Sequence, residues 1–250
     1  EKLFSAADDP KFLGGGQTLI PTLKQRLASP SDLIDLSGLK DLAGISVSGG
    51  VVTIGAATRH ADVAASAEVR KAIPALADLA GWIGDPAVRH RGTIGGSIAN
   101  ADPSADYPAA IVALSATVHT SRRAIAADDF FTGMFETALH TGEIVTKVAF
   151  PVPEKAGYEK FRNPASRYAM VGVFVAKTAG GVRVAVTGAG PSVFRQEAME
   201  AALGKSFTPD AIAGIKVSPD GLNSDLHASA AYRAHLVTVM AKRAVARAAG

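Results

Sequence analysis

Hydrophobic positions in the first part of the chain change period within a few residues, which predicts a strand, a turn and a helix in succession. Residues 11–13 are typical of a short strand, and three glycines interrupt the pattern directly after it. Apolar residues then recur at helical spacing at Leu19, Ile20, Leu23 and Leu27. The pattern therefore predicts a glycine turn between a strand and a helix.

The pattern continues as a mixture of short strands and helices. Asp102 before Pro103 has the pattern of an N-cap followed by proline at the first helical position, so a helix is predicted to begin there and to run through 109–114. The remaining predictions are a strand over 33–36, a hairpin over 45–55, helices over 61–69 and 73–80, a turn into a short helix over 128–131, and strands over 116–120 and 144–150. Strands and helices in this order predict an α+β fold.

Two prolines indicate a domain boundary. Pro151 and Pro153 cannot continue a central strand, and basic residues outnumber acidic ones after residue 155. We therefore predict two domains, residues 1–153 and 154–250. In the second, segments 170–176 and 182–190 are predicted to pair antiparallel through Gly180 and Gly181, and helices are predicted over 195–203 and 230–249.

Composition excludes several classes of function. The chain has 250 residues, 48% of them hydrophobic, and a formal net charge of +3, which is too small to indicate a nucleic-acid partner. No apolar run approaches the roughly 18 residues of a membrane span, and no signal-peptide core is present at the start, so a cytoplasmic location is expected. The absence of cysteine excludes iron–sulfur ligation by this chain, and the six histidines show no metal-binding spacing.

Two glycine segments are the strongest candidates for a binding site. The first follows the strand at 11–13, and the second contains two adjacent glycines between hydroxyl side chains. Glycines let backbone N–H groups approach an anion closely, so one long anionic ligand such as a dinucleotide would explain both segments. The candidate residues are Gly14, Gly15, Gly16, Gln17 and Thr18 in the first segment and Thr93, Ile94, Gly95, Gly96 and Ser97 in the second.

These segments carry a family resemblance. Segments 13–19, 54–58, 84–97 and 101–106, followed by 161–169 and 229–236, resemble the FAD-binding medium subunits of molybdenum hydroxylases, especially those of aerobic carbon monoxide dehydrogenases. The resemblance covers nearly the whole chain. It implies a two-domain flavoprotein with an N-terminal FAD-binding domain of the PCMH type and a small C-terminal α+β domain.

The resemblance also implies roles for single residues. Asp106 would contact the ribityl chain of FAD, Ile144 would offer a main-chain contact, and Lys160 would lie beside the flavin. Tyr168 would cover the isoalloxazine ring, because flat rings stack favourably. From the residues alone, Asp106 could equally be a structural residue of a first helical turn. By default, Lys160 would be a surface lysine and Tyr168 a half-buried core aromatic.

By the same resemblance, electrons would come from a molybdenum-binding large subunit through [2Fe–2S] clusters on a small subunit. They would reach FAD on this chain and leave to a quinone or another acceptor. No acid–base pair suggests catalysis of substrate chemistry by this chain. Two alternatives stay open, a stand-alone flavin oxidase or reductase of the same fold and a scaffold that has lost its flavin.

Overall fold

The chain is described from a computed structural model that covers residues 1–249. Within these residues the strands form four sheets, of five, four, two and two strands. No helix among them is both long and apolar enough to cross a lipid bilayer. The strands are β1 (Pro10–Leu13), β2 (Asp32–Asp35), β3 (Ile45–Ser48), β4 (Val51–Gly55), β5 (Thr117–Thr120), β6 (Ala124–Ala126), β7 (Phe131–Gly133), β8 (Glu136–Thr137), β9 (Val145–Pro151), β10 (Lys155–Arg162), β11 (Ala169–Thr178), β12 (Gly181–Thr187) and β13 (Phe194–Arg195).

Helices connect and cover these sheets, and the longest lies at the C-terminal end of the chain. The helices are α1 (Lys2–Ser5), α2 (Leu19–Lys24), α3 (His60–Ala65), α4 (Ala67–Ala72), α5 (Pro74–Gly81), α6 (Pro86–Arg89), α7 (Ile94–Asn100), α8 (Tyr107–Ala113), α9 (Ala127–Phe130), α10 (Glu197–Lys205) and α11 (Ala230–Ala249). The predicted α+β class is confirmed. The predicted helix over 230–249 has the observed bounds.

The five-stranded sheet is antiparallel throughout, in the order β3-β4-β9-β5-β6. Val52 and Ile54 of β4 are fully buried, whereas Val51 and Thr53, which alternate with them, are only partly buried. This period of two places one face of the sheet on the core of the N-terminal half. The hairpin predicted over 45–55 is β3 and β4, with Gly49 and Gly50 at its turn.

The four-stranded sheet β10-β11-β12-β13 lies between two cores. Val171, Val173 and Val175 of β11 pack into a core with α10 and α11. Phe174 and Ala176, on the opposite face of the strand, belong to the core of the N-terminal half. Because β11 is buried on both faces, the halves predicted as separate domains share an apolar interface. The boundary at 153/154 stays a prediction.

The strand pair β1–β2 positions the first glycine segment. β1 and β2 run parallel with α2 between them, and their paired residues run from Pro10 with Asp32 to Leu13 with Asp35. A parallel pair needs a crossover connection, and here the glycine segment and α2 provide it. The glycines therefore lie where the chain leaves the carboxyl end of β1.

The predicted start of a helix at Pro103 is wrong. Oδ1 of Asp102 accepts the N–H of Ser104 at 2.8 Å, so its side chain stabilises a local turn and not a helix. The helix is α8, which begins at Tyr107 with Asp106 at the N-cap position. Gly95 and Gly96, the adjacent glycines of the second candidate segment, lie in the first turn of α7.

Candidate functional site

A cleft of about 810 Å³ runs between the glycine segments and the C-terminal half of the chain. This volume is in the range of cofactor sites. Two of the candidate residues, Ile94 and Lys160, do not line it; both are buried behind its wall. The candidates that line the cleft are Gly14, Gly15, Gly16, Gln17, Thr18, Thr93, Gly95, Gly96, Ser97, Asp106, Ile144 and Tyr168. The structure thus brings together residues from distant parts of the sequence.

The first glycine segment presents unused backbone donors. Among residues 1–249, no acceptor is found for the N–H groups of Gly15, Gly16, Gln17 and Thr18. Gly16 has a φ of +73°, a conformation that favours glycine. A Cβ at Gly15 would overlap the carbonyl oxygen of Arg91, so this glycine is required by packing. Successive free N–H groups in such a turn form a concave site suited to an anion.

The second glycine segment is built differently. Oγ1 of Thr93 caps α7 by accepting the N–H of Gly96 at 3.2 Å, and the N–H groups of Gly95 and Ser97 bond to the carbonyls of Ala56 and Thr93. Its backbone donors are therefore used within the chain. A Cβ at Gly95 would lie 2.5 Å from Cβ of Ala56, whereas a Cβ at Gly96 would meet only Oγ1 of Thr93, at 3.1 Å. This segment contributes space and hydroxyl groups to the cleft.

The two segments meet at Thr93. A Cβ added at Gly14 would lie 3.4 Å from Oγ1 of Thr93 and 3.9 Å from Cα of Gly96, which are ordinary contact distances. The structure therefore brings the two segments together at one cleft, and their binding of one ligand stays a prediction.

Asp106, in the cleft wall, forms a buried ion pair with Lys160 behind it. Its Oδ1 lies 2.8 Å from Nζ of Lys160 and accepts the hydroxyl of Tyr158 at 2.5 Å. The Lys160 side chain is fully buried, so the default expectation of a surface lysine is wrong. Burial raises the pKa of Asp106, and the Lys160 ammonium and the Tyr158 hydroxyl oppose that rise. Burial and the nearby Asp106 also raise the pKa of Tyr158, which therefore donates as a neutral phenol.

Ile144 and Tyr168 lie on different walls of the cleft. The Ile144 carbonyl accepts the N–H of Ser121 at 2.8 Å, and its N–H donates to Oγ of Ser121 at 3.2 Å, so its main chain is already bonded. The hydroxyl of Tyr168 accepts a hydrogen bond from Nδ2 of Asn163 at 3.1 Å, and the Tyr168 ring is half-buried. This leaves part of the aromatic ring available to the cleft.

Sequence reasoning missed several lining residues. His60 is buried at the cleft, and burial together with the Arg89 charge lowers its pKa to about 4, so it is neutral near pH 7. Asn223, Asp225 and Arg233 line the cleft from the C-terminal half. Arg233 lies inside the segment that resembles the family, but nothing in its local pattern indicates a buried cation.

Family comparisons agree with this geometry. Residues 2–153 match the model of the FAD binding domain in molybdopterin dehydrogenase, and residues 156–248 match the CO dehydrogenase flavoprotein C-terminal domain. Together the fold, the cleft and these matches define an oxidoreductase subunit that binds FAD. The chain belongs to the FAD-binding medium subunits of the molybdenum hydroxylases, and its cofactor is FAD.

Individual relatives differ in the reactions their names give. The chain is 35% identical to the carbon monoxide dehydrogenase medium chain of Hydrogenophaga pseudoflava, over 95% of this chain and 88% of the relative. It is also 35% identical to the nicotine 6-hydroxylase medium subunit of Paenarthrobacter nicotinovorans, over 98% of this chain and 92% of that one. A structure of reconstituted CO dehydrogenase from Oligotropha carboxidovorans superposes with a TM-score of 0.90 at 31% identity, covering 99% of this chain and 92% of that chain.

Proposed function

We propose that this chain is the electron-transfer subunit of a heteromeric molybdenum hydroxylase and holds FAD in the cleft described above. Unused backbone donors and a buried carboxylate line the same cleft, and this observation supports the proposal most directly. The site fits the cofactor: Gly15–Thr18 offer free N–H groups for the pyrophosphate, and Gly14 and Gly96 leave space for it. The flavin, when bound, supplies reversible uptake of electrons.

Each of these side chains then has a role in binding or orienting the cofactor. The Asp106 carboxylate accepts hydrogen bonds from the ribityl hydroxyl groups, and the Lys160 ammonium, behind the cleft wall, holds that carboxylate in place. Tyr168 covers one face of the ring system and excludes water from it. Thr93 and Ser97 supply hydroxyl groups and Gln17 its amide. Ile144 lies beside the cofactor, and Ile94 packs behind the cleft wall. The buried Lys160 ammonium would favour negative charge on a ring system bound in the cleft.

Partners supply the chemistry that this chain lacks. A chain without cysteine holds no iron–sulfur cluster, so we infer that a small subunit with [2Fe–2S] clusters delivers electrons to it. A large molybdenum-binding subunit would oxidise the substrate, and a quinone or another acceptor would receive the electrons. Relatives named for carbon monoxide and for nicotine are equally similar to this chain, which supports substrate choice by the large subunit.

A mixing experiment tests the proposal. The FAD-loaded chain is incubated with carbon monoxide, nicotine and related substrates while flavin absorbance is followed, and the small and large subunits are then added. We expect bleaching only when all three subunits are present. Rapid bleaching of this chain alone would identify a stand-alone flavin oxidase or reductase, and a purified chain with no flavin absorbance that takes up no FAD would identify a scaffold.

A further inference from the structure

A buried arginine closes one wall of the cleft, and the proposed function does not use it. Arg233, near the start of α11, is 2% exposed. Its Nη1 donates to the carbonyls of Met170 and Gly188 at 2.6 and 3.0 Å, and its Nη2 lies 2.7 Å from Oδ2 of Asp225. One cation therefore joins the start of β11, the end of β12 and the loop that precedes α11.

Asp225 extends this connection into the loop. Its Oδ1 accepts the N–H groups of His227 at 2.9 Å and Ala228 at 3.0 Å. In the same loop, Nδ2 of Asn223 donates to the carbonyl of Gly190 at 2.8 Å. Asn223, Asp225 and Arg233 all line the cleft. The loop over 222–228 is thus held as part of the cleft wall.

The loop reaches Tyr168 through His227. The two rings pack edge to face, with centroids 6.5 Å apart and an angle of 71° between their planes. The Tyr168 hydroxyl also accepts a hydrogen bond from the amide of Asn163. The ring proposed to cover the flavin therefore has two supporting contacts, and one of them depends on the loop that Asp225 organises.

Stability alone is a poor reason for this cation to be buried at a cleft. A buried guanidinium loses hydration, and this loss is offset only when its donors are bonded. Among residues 1–249, Nε of Arg233 is buried without a partner. The arrangement is incomplete as a purely structural bridge, whereas its carboxylate partner, Asp225, belongs to the loop beside Tyr168.

We propose that Arg233 and Asp225 are positioning residues that hold the 222–228 loop and, through His227, fix Tyr168 over the flavin ring. The proposal rests on the proposed function, because it takes Tyr168 to cover the ring. If the Arg233–Asp225 pair is weakened, the loop can move and FAD should dissociate faster. Weakening the pair would also reduce the contact between Tyr168 and the ring, which normally quenches flavin fluorescence.

The test compares Asp225→Asn, Arg233→Lys and His227→Ala in the full chain loaded with FAD. The matched control is Glu200→Gln, which breaks the Arg195–Glu200 pair in the same half of the chain, away from the cleft. We expect FAD release to become roughly tenfold faster in Asp225→Asn, with brighter bound flavin. The control should stay within about twofold of the parent. Because the Asp225 side chain is 45% exposed, Asp225→Asn keeps the test informative if Arg233→Lys does not fold.

A second arm tests the route through Tyr168. In a Tyr168→Leu background, Asp225→Asn should change the release rate less than about twofold, because coupled residues are not additive. An equal acceleration in both backgrounds, or none in either, overturns the positioning role. Gly14→Ala separates the two failures: if it weakens FAD while Asp225→Asn does nothing, the FAD site stands and only this inference falls. If neither variant affects FAD, the proposed site itself is wrong.

Discussion

Nζ of Lys160 lies 2.8 Å from Oδ1 of Asp106, and both side chains are almost completely buried. Asp106 precedes α8 in the N-terminal half, and Lys160 lies on β10 in the C-terminal half. The pair therefore joins the two halves at the wall of the cleft. An isolated charge at either position would be costly, so each residue makes the other possible.

The first prediction follows from this pair. Asp106→Ala leaves the Lys160 ammonium buried without a counter-charge, so we expect the apoprotein to lose about 3–5 kcal/mol of unfolding free energy. FAD binding should weaken by roughly 1.5–3 kcal/mol, the range for a hydrogen bond to a charged group. Urea unfolding and FAD titration measure the two effects. Adding Lys160→Met should restore most of the stability but not the affinity, and recovery of both would contradict the ribityl role of Asp106.

The second prediction separates two glycines that look equivalent in the sequence. Gly14→Ala introduces a Cβ only at ordinary contact distances within the protein, so the apoprotein should keep its stability while FAD binding weakens at least tenfold, about 1.4 kcal/mol. Gly95→Ala instead presses on Ala56 and should destabilise the apoprotein by about 1–3 kcal/mol. Thermal unfolding of the apoproteins and flavin content after gel filtration distinguish them. Equal behaviour of the two variants would refute this division.

The third prediction concerns Tyr168. Tyr168→Leu removes an aromatic face from the cleft and should weaken FAD by about 0.5–1.5 kcal/mol, with increased fluorescence of the bound flavin. Tyr168→Phe loses only the hydrogen bond from Asn163 and should keep the fluorescence quenched. Fluorescence of the bound cofactor measures both. A brighter flavin in Tyr168→Phe alone would mean that the hydroxyl, and not the ring, matters.

The fourth prediction is a pH dependence set by Glu143, which precedes Ile144 at the cleft. Burial raises the pKa of Glu143, but hydrogen bonds from Arg123, the His140 N–H and Thr120 outweigh it and lower the pKa from 4.5 to about 2. The folded state therefore prefers the carboxylate. Its contribution is complete above pH 4.5, where the unfolded carboxyl is ionised too, and is lost as the pH falls towards 2.

Urea unfolding between pH 6 and the acid limit of the folded protein tests this dependence. Glu143→Gln should lower stability at pH 6 by about 1–3 kcal/mol and should flatten the fall in stability below pH 4.5. Parallel stability curves for the parent and Glu143→Gln would show that Glu143 does not supply this acid sensitivity.

Local structure and the family could be predicted from the sequence, because they depend on short-range patterns. The paired glycines at 49–50 located the hairpin β3–β4, glycine and apolar spacing located the start of α2, and an amphipathic run located α11. The glycine segments also pointed to a cleft for a long anionic ligand. Each of these signals lies within about twenty neighbouring residues, where backbone preferences and hydrophobic period act directly.

Long-range contacts were decided only by the tertiary structure. Residue type alone placed Lys160 at the surface, but β10 carries it under Asp106, where the opposite charge makes burial tolerable. Likewise, both glycine segments look like anion sites, but the N–H groups of Gly95 and Gly96 are consumed by contacts with Ala56 and Thr93. Which donors stay free depends on what the rest of the chain brings to them, and no local pattern encodes those partners.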